Sequence, residues 1–215
     1  MDSVCQVLPA LSPSGLHEVA TGNVDDAMMK QIGFQGVLGI VLMWGCLLPQ
    51  GCASTTKRLN LHPIQTVPHV DLTRYLGTWY EIAAFPQWFQ RGCTCTTAQY
   101  SLRSDGGIDV LNNCRLDSPT GKLKTAKGRA QVVDRATNAK LEVSFFWPFR
   151  GDYWIIDLGP DYEYAVVGHP NRDYLWILAR KPAIDDAIYQ SIVQRLKTQG
   201  YQVERLVRTI QVLEE

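Results

Sequence analysis

From Ala98 onward, apolar and polar side chains alternate with period two in one segment after another. Ala98, Tyr100 and Leu102 alternate with Thr97, Gln99, Ser101 and Arg103; Ile108 and Val110 flank Asp109; Leu141, Val143 and Phe145 alternate with Glu142 and Ser144. That period puts successive side chains on opposite faces of an extended chain, so each segment predicts a half-buried strand. Turn sequences separate the segments: Ser104-Asp105-Gly106-Gly107, Ser118-Pro119-Thr120-Gly121, Ala136-Thr137-Asn138, Pro148 to Gly151, Gly159-Pro160-Asp161 and His169-Pro170-Asn171. The pattern predicts eight strands, near 77–85, 94–103, 107–115, 124–134, 139–146, 152–158, 163–168 and 173–179. Sequential antiparallel strands with one apolar face leave no exposed edge when they close on themselves, which predicts an all-β, eight-stranded up-and-down barrel. Such a barrel is about wide enough inside for one small ligand. The period then changes to that of a helix. Pro182-Ala183-Ile184-Asp185 opens it, Ile188, Ile192, Val193 and Leu196 form one apolar stripe, and Lys197 and Gly200 close it. A single stripe predicts one C-terminal α-helix packed against the outside of the barrel, and Tyr201 to Ile210 follow as a short last strand.

The N-terminal quarter is patterned differently. No Asp, Glu, Lys or Arg occurs from Gln31 to Thr56, and Val37 to Leu48 is almost wholly apolar. A membrane-spanning helix needs about 20 apolar residues, whereas this run is shorter and ends in Pro49-Gln50-Gly51-Cys52, as the core of a signal peptide does. Asp2, Glu18, Asp25 and Asp26 have the wrong charge for the start of such a peptide, while a start at Met28 or Met29 presents Lys30 at once. Residues 1–51 are therefore expected to be an N-terminal extension plus signal peptide, with 52–70 a polar tether carrying Pro63 and Pro68.

Composition narrows the chemistry. The 215 residues carry 21 basic and 21 acidic side chains with 46% apolar residues, so disorder and binding to nucleic acid through a net positive field are poor readings. Six Trp, nine Tyr and six Phe exceed what a minimal core uses and suit an apolar pocket. No Gly-x-Ser-x-Gly, phosphate loop or dinucleotide fingerprint is present, and His17, His62, His69 and His169 are scattered, so neither a cofactor nor a metal is expected. Cys93, Cys95 and Cys114 flank one predicted hairpin, where a disulfide is geometrically reasonable and an oxidising compartment fits.

These residues carry a family resemblance. Asp71-Leu72-Thr73-Arg74-Tyr75-Leu76-Gly77-Thr78-Trp79-Tyr80-Glu81 resembles the opening signature of lipocalins, with Gly77 and Trp79 as its Gly-x-Trp. Pro160-Asp161-Tyr162-Glu163-Tyr164-Ala165 is similar to the second lipocalin motif, with Pro160 a departure from the common Thr-Asp-Tyr, and Asp173 to Arg180 is similar to the third. The likeness covers 71–211 and is strongest to bacterial outer-membrane lipocalins and apolipoprotein D. Gly51-Cys52 after Leu47 and Leu48 resembles a lipoprotein lipobox, with Pro49 and Gln50 departing from its small residues, and implies acylation of Cys52. Ala53 in place of an inner-membrane retention Asp implies the periplasmic face of the outer membrane.

The resemblance also implies roles. Trp79 and Arg180 stack at the barrel floor, with Gly77, Asp161 and Tyr162 as structural neighbours, and related sequences favour a Cys93–Cys114 pair over Cys95–Cys114. Alternation alone turns Tyr100, Val110, Val143 and Phe145 inward; Trp154-Ile155-Ile156 and Leu175-Trp176-Ile177 are apolar on both sides, and there the resemblance turns Trp154, Ile156, Tyr174 and Trp176 inward as ligand contacts. Arg91, Arg103 and Arg150 are placed near rims to meet a head group. The implied function is carriage or storage of fatty acids or lysophospholipids, palmitate among them, without catalysis, with a homodimer as a further partner. The alternatives are a lipocalin-type isomerase using a pocket thiol, for which Cys95 is the candidate, and a structural envelope protein.

Overall fold

The computed structural model describes residues 62–212. The predicted signal core, Cys52 and most of the tether lie outside these residues. The first element among the described residues is a short helix α1 (Leu72–Tyr75), whose cap is the Asp71 carboxylate accepting from the Thr73 and Arg74 amides. Eight strands follow: β1 (Gly77–Ala84), β2 (Cys93–Leu102), β3 (Ile108–Leu116), β4 (Leu123–Val132), β5 (Lys140–Phe146), β6 (Phe149–Leu158), β7 (Tyr164–Gly168) and β8 (Leu175–Ala179). Each pairs antiparallel with the next, and β1 pairs with both β8 and β2, which closes the barrel. Helix α2 (Asp186–Thr198) is capped by Asp185, whose carboxylate accepts from the Ala187 and Ile188 amides.

Two differences from the pattern-based reading concern the ends of elements. Strand β6 begins at Phe149 instead of 152, because Phe146 pairs with Phe149 across a two-residue turn, Trp147-Pro148. The last strand shrinks to β9 (Val207–Arg208). Its place in the wall explains its role: β1 and β2 pair only over Gly77–Tyr80 and Thr97–Tyr100 and then diverge. The C-terminal segment fills that gap, pairing with Ala83 and Ala84, accepting from the Cys95 amide at Ile210 and donating from the Thr209 amide to Ile82. The Gln211 amide bridges the carbonyls of Glu81 and Thr96, both at 2.9 Å.

The buried residues form two clusters, one on each side of the wall. Outside β1 and β6–β8, Ile156, Val166, Leu175 and Ile177 meet Ile192 and Leu196 of α2. Fully burying one such aliphatic side chain contributes about 1.5–3 kcal/mol, and this contact holds the helix in place. Inside the barrel, Trp79, Tyr100, Val110, Ala130, Leu141, Ile155 and Val167 form the second cluster. Residues 70–76 lie across one end: the Val70 amide donates to Thr137 and the Asp71 amide to the Tyr162 hydroxyl. This end, with loops 103–107, 133–139 and 159–163, is closed; loops 85–92, 117–122, 147–148 and 169–174 surround the opposite end.

Candidate functional site

At the closed end the three motif segments converge. Trp79 is fully buried, its indole N–H donates to the Tyr75 carbonyl at 2.8 Å, and the Arg180 guanidinium lies 3.7 Å over its ring. Arg180 donates onward to the carbonyls of Thr78 and Arg74, so its charge is satisfied while its planar face covers the indole. Gly77 (φ +92°) leads the chain past this arginine in a conformation that a side chain would strain. Tyr162 carries the Arg74 guanidinium over its ring at 4.1 Å, and Asp161 is exposed in the loop before it. These residues build the floor from below.

Three tyrosines finish the floor from above. The Tyr153 hydroxyl sits 2.8 Å from that of Tyr75 and 2.9 Å from that of Tyr100. Burial raises all three phenols, Tyr100 to about 12 and the other two well above the ordinary value, so the trio is neutral and hydrogen-bonded across the physiological range.

Above the floor the inward positions change in size and exposure. On β4 the inward residues run from Ala130, which is 4% exposed, through half-buried Gly128 to exposed Ala126; on β5 they run from buried Leu141 through half-buried Val143 to Phe145, which is 39% exposed. Ala98, Asn112 and Ala126 face one another across β2, β3 and β4. A side chain at Gly151, opposite Val143, would have nothing within 4 Å, whereas one at Gly128 would meet the Phe145 ring lying over it. Small residues therefore leave the upper half of the barrel as an open cup above a packed base. Trp176 is half-buried on its wall, and the Asn112 carbonyl oxygen has no protein hydrogen-bond partner.

The expected ligand contacts divide accordingly. Tyr100 and Val110 are inward but belong to the packed base; Val143, Phe145 and Trp176 line the cup. Tyr174 lies in the loop just before β8, stacked 6.0 Å from Trp176 and 6.5 Å from Phe89. Trp154 and Ile156 are corrected: they face outward into the cluster under α2, with Lys140 4.4 Å over the Trp154 ring, while Tyr153 and Ile155 take the inward positions. The reason is physical, because α2 covers the outside of β6 and makes both faces apolar. Arg103 is also relocated, paired with Asp105 and Asp109 at the closed end, whereas Arg91 and Arg150 lie towards the open one. The missed residues are Tyr75, Tyr153, Asn112, Gly128 and Gly151; Tyr153 and Gly151 turn inward because a register shift between Val143 and Phe146 pairs them with Leu141 and Val143, an irregularity that alternation does not show.

A polar chain ties the mouth to the wall. Trp176 donates its indole N–H to Gln90 at 3.0 Å, the Gln90 amide donates to the buried Glu81 carboxylate at 2.7 Å, and Thr209 donates to the other Glu81 oxygen at 2.6 Å. Burial raises the Glu81 carboxyl above its ordinary value, against the opposing pull of these two donors. Cys93 and Cys114 form the disulfide that pins the top of β2 to β3, and Cys95 is buried in the bulge where the C-terminal segment closes the wall. A concavity of about 710 Å³ combines Gln99, Asp109, Lys127, Arg129, Glu142 and Arg150 with Val110, Gly128, Phe145 and Trp147. Its charged side chains alternate with the inward residues and so lie on the outer face. Among the described residues no group of His, Cys, Asp or Glu is placed to hold a metal ion.

Comparison with known proteins agrees with this geometry. The profile of the lipocalin-like domain matches residues 70–211. The chain is 42% identical over 156 residues to the outer membrane lipoprotein Blc of Escherichia coli K12, covering 73% of this chain and 86% of that one. Its identity to mouse apolipoprotein D is 35% over 178 residues, covering 75% and 90%. The structure of insecticyanin from the tobacco hornworm Manduca sexta superposes with a TM-score of 0.55 over 68% of this chain and 83% of that one, at 18% identity, a likeness of fold alone. A barrel closed by a Trp79–Arg180 stack, a helix on its flank and a family match over the whole barrel place the chain in the lipocalin family, as a bacterial lipocalin of the Blc and apolipoprotein D type.

Proposed function

We propose that the protein holds one long-chain fatty acid or lysophospholipid with its acyl chain in the upper half of the barrel, at the outer membrane to which an acylated Cys52 ties it. The observation that carries this reading is the change along β4 and β5 from buried to exposed inward residues, which leaves an apolar-walled cup open at one end. Each methylene that leaves water contributes about 0.8 kcal/mol, so a long chain supplies about 10 kcal/mol against an association cost of about 4–15 kcal/mol, consistent with micromolar binding. Val143, Phe145 and Trp176 contact the chain, Tyr174 and Phe89 extend the wall at the mouth, and Arg91 and Arg150 are within the region where a carboxylate or phosphate emerges. Relatives 37–44% identical are named outer membrane lipoproteins, and the outer membrane is the address of this chain as well. Membrane attachment is assigned to the lipid anchor that Gly51-Cys52 implies.

Lipid extracted from the purified protein and identified by mass spectrometry tests the reading. Stoichiometric fatty acid or lysophospholipid, replaced by added palmitate with a change in Trp176 emission, is the expected result. A delipidated protein that takes up no acyl ligand would overturn it.

A further inference from the structure

The large exposed aromatics are confined to one end of the molecule. Trp147 is 85% exposed, Trp88 81%, Phe146 80% and Phe149 76%, and all four lie on loop 85–92 or on the β5–β6 hairpin, which border the open end. The exposed aliphatics Leu102 and Val133 border the closed end singly, as scattered surface residues do. A cluster of indole and phenyl rings on loop tips is expensive to leave in water and marks a contact surface.

Two further observations identify what covers it. First, the N-terminal segment leaves the fold at this same end. Arg172, in loop 169–174, donates to the His62 carbonyl, and from there the chain descends the outside of the barrel, with Ile64 buried beside α2, to Val70 at the closed end. Cys52 is only ten residues before His62. Ten residues reach at most about 33–36 Å, which bounds how far an acyl anchor at Cys52 can lie from His62 at this end of the barrel. Second, Arg91, Lys122, Lys124 and Arg150 surround the mouth against Asp117 and Asp173, an excess of positive charge that suits anionic headgroups.

We propose that the open end docks on the lipid bilayer, with Trp147, Phe146, Phe149 and Trp88 inserted among the headgroups and upper acyl carbons, so that the cup opens directly onto the membrane. The proposal rests on the acyl-binding, lipid-anchored reading above. It adds an orientation: the barrel stands mouth-down, and an acyl chain passes between leaflet and cup without crossing water. Trp and Phe on this rim serve as the interfacial contact and the basic side chains as its electrostatic complement.

The test uses the full acylated chain reconstituted in phosphatidylethanolamine–phosphatidylglycerol vesicles whose acyl chains carry bromine at the upper positions. The emission lost on Trp147→Phe isolates the Trp147 contribution, which is expected to be strongly quenched by the brominated lipid. In the full chain carrying Cys52→Ser, which lacks the anchor, the added changes Phe146→Ser and Trp147→Ser are expected to weaken partition onto the same vesicles about tenfold or more, as loss of buried aromatic area does. These tips are exposed, so palmitate binding and thermal stability of the variant should match the parent and show that it folds. Unquenched Trp147 emission with unchanged partition overturns the proposal, as does burial of these tips against a second copy of the chain, seen as a stable dimer that the two serines dissolve. Palmitate binding is read separately: its failure sinks the acyl-carrier reading, and its presence with an unquenched Trp147 sinks the docking proposal alone.

Discussion

The two halves of the barrel interior are built on one alternation and do opposite things with it. Below, Trp79, Tyr100, Val110, Leu141, Ile155 and Leu178 fill the cross-section, and Arg180 and the tyrosine trio satisfy every polar group they bring. Above, the same rows continue through Ala98, Ala126, Gly128 and Gly151, and the cross-section is left open. The difference lies in side-chain volume at successive inward positions of the same strands, packed at one end and small at the other. If the open end is the binding half, as proposed, stability belongs to the closed end and binding to the open end, and the two should separate under mutation.

The largest effect is expected from Trp79→Ala. It empties the floor and strands the Arg180 guanidinium, so a loss of about 3–5 kcal/mol should appear in urea unfolding. A loss below 1 kcal/mol would show that the floor is not where stability resides. Tyr153→Phe follows. It removes the hydroxyl shared by Tyr75 and Tyr100, leaving both buried phenols unpartnered at an expected cost of about 1–3 kcal/mol, measured in the same way. Palmitate affinity should change far less than stability, and an equal loss of both would erase the division between the halves.

The smallest effect concerns Glu81, at the junction of wall and mouth. Its carboxyl is raised by burial, so the folded protein holds that proton more tightly than the unfolded chain. The stabilising contribution is complete below the ordinary value of 4.5 and is lost as pH rises through the raised folded value. Glu81→Gln removes this dependence: its stability relative to the parent should increase with pH over that window and then level off. A constant difference between pH 4 and 8, followed by denaturant midpoints, would contradict the assignment.

The barrel itself was legible because its free faces are polar. On β2 to β5 the outer residues Gln99, Asp109, Lys127, Arg129 and Glu142 face water, so period two survives and Tyr100, Val110, Val143 and Phe145 are assigned correctly to the inside. On β6 to β8 helix α2 covers the outer face, both faces are apolar, and the period disappears; there Trp154 and Ile156 were expected inside and lie outside. The three family motifs located the floor through Trp79 and Arg180. The cup was harder to see, since it is made by Ala and Gly, which carry no apolar signal of their own, and the inward place of Tyr153 depends on a register shift between Val143 and Phe146 that alternation does not show.

The central claim is that the space above Tyr100 and beside Gly151 is where the acyl chain lies. Titration of delipidated protein with palmitate, comparing the parent with Gly151→Leu, tests it directly, because a side chain there meets no neighbouring atom and occupies only the cup. The account predicts about tenfold weaker binding or more, equivalent to at least 1.4 kcal/mol, with thermal stability unchanged. Equal affinity in the two proteins would place the ligand elsewhere and contradict it.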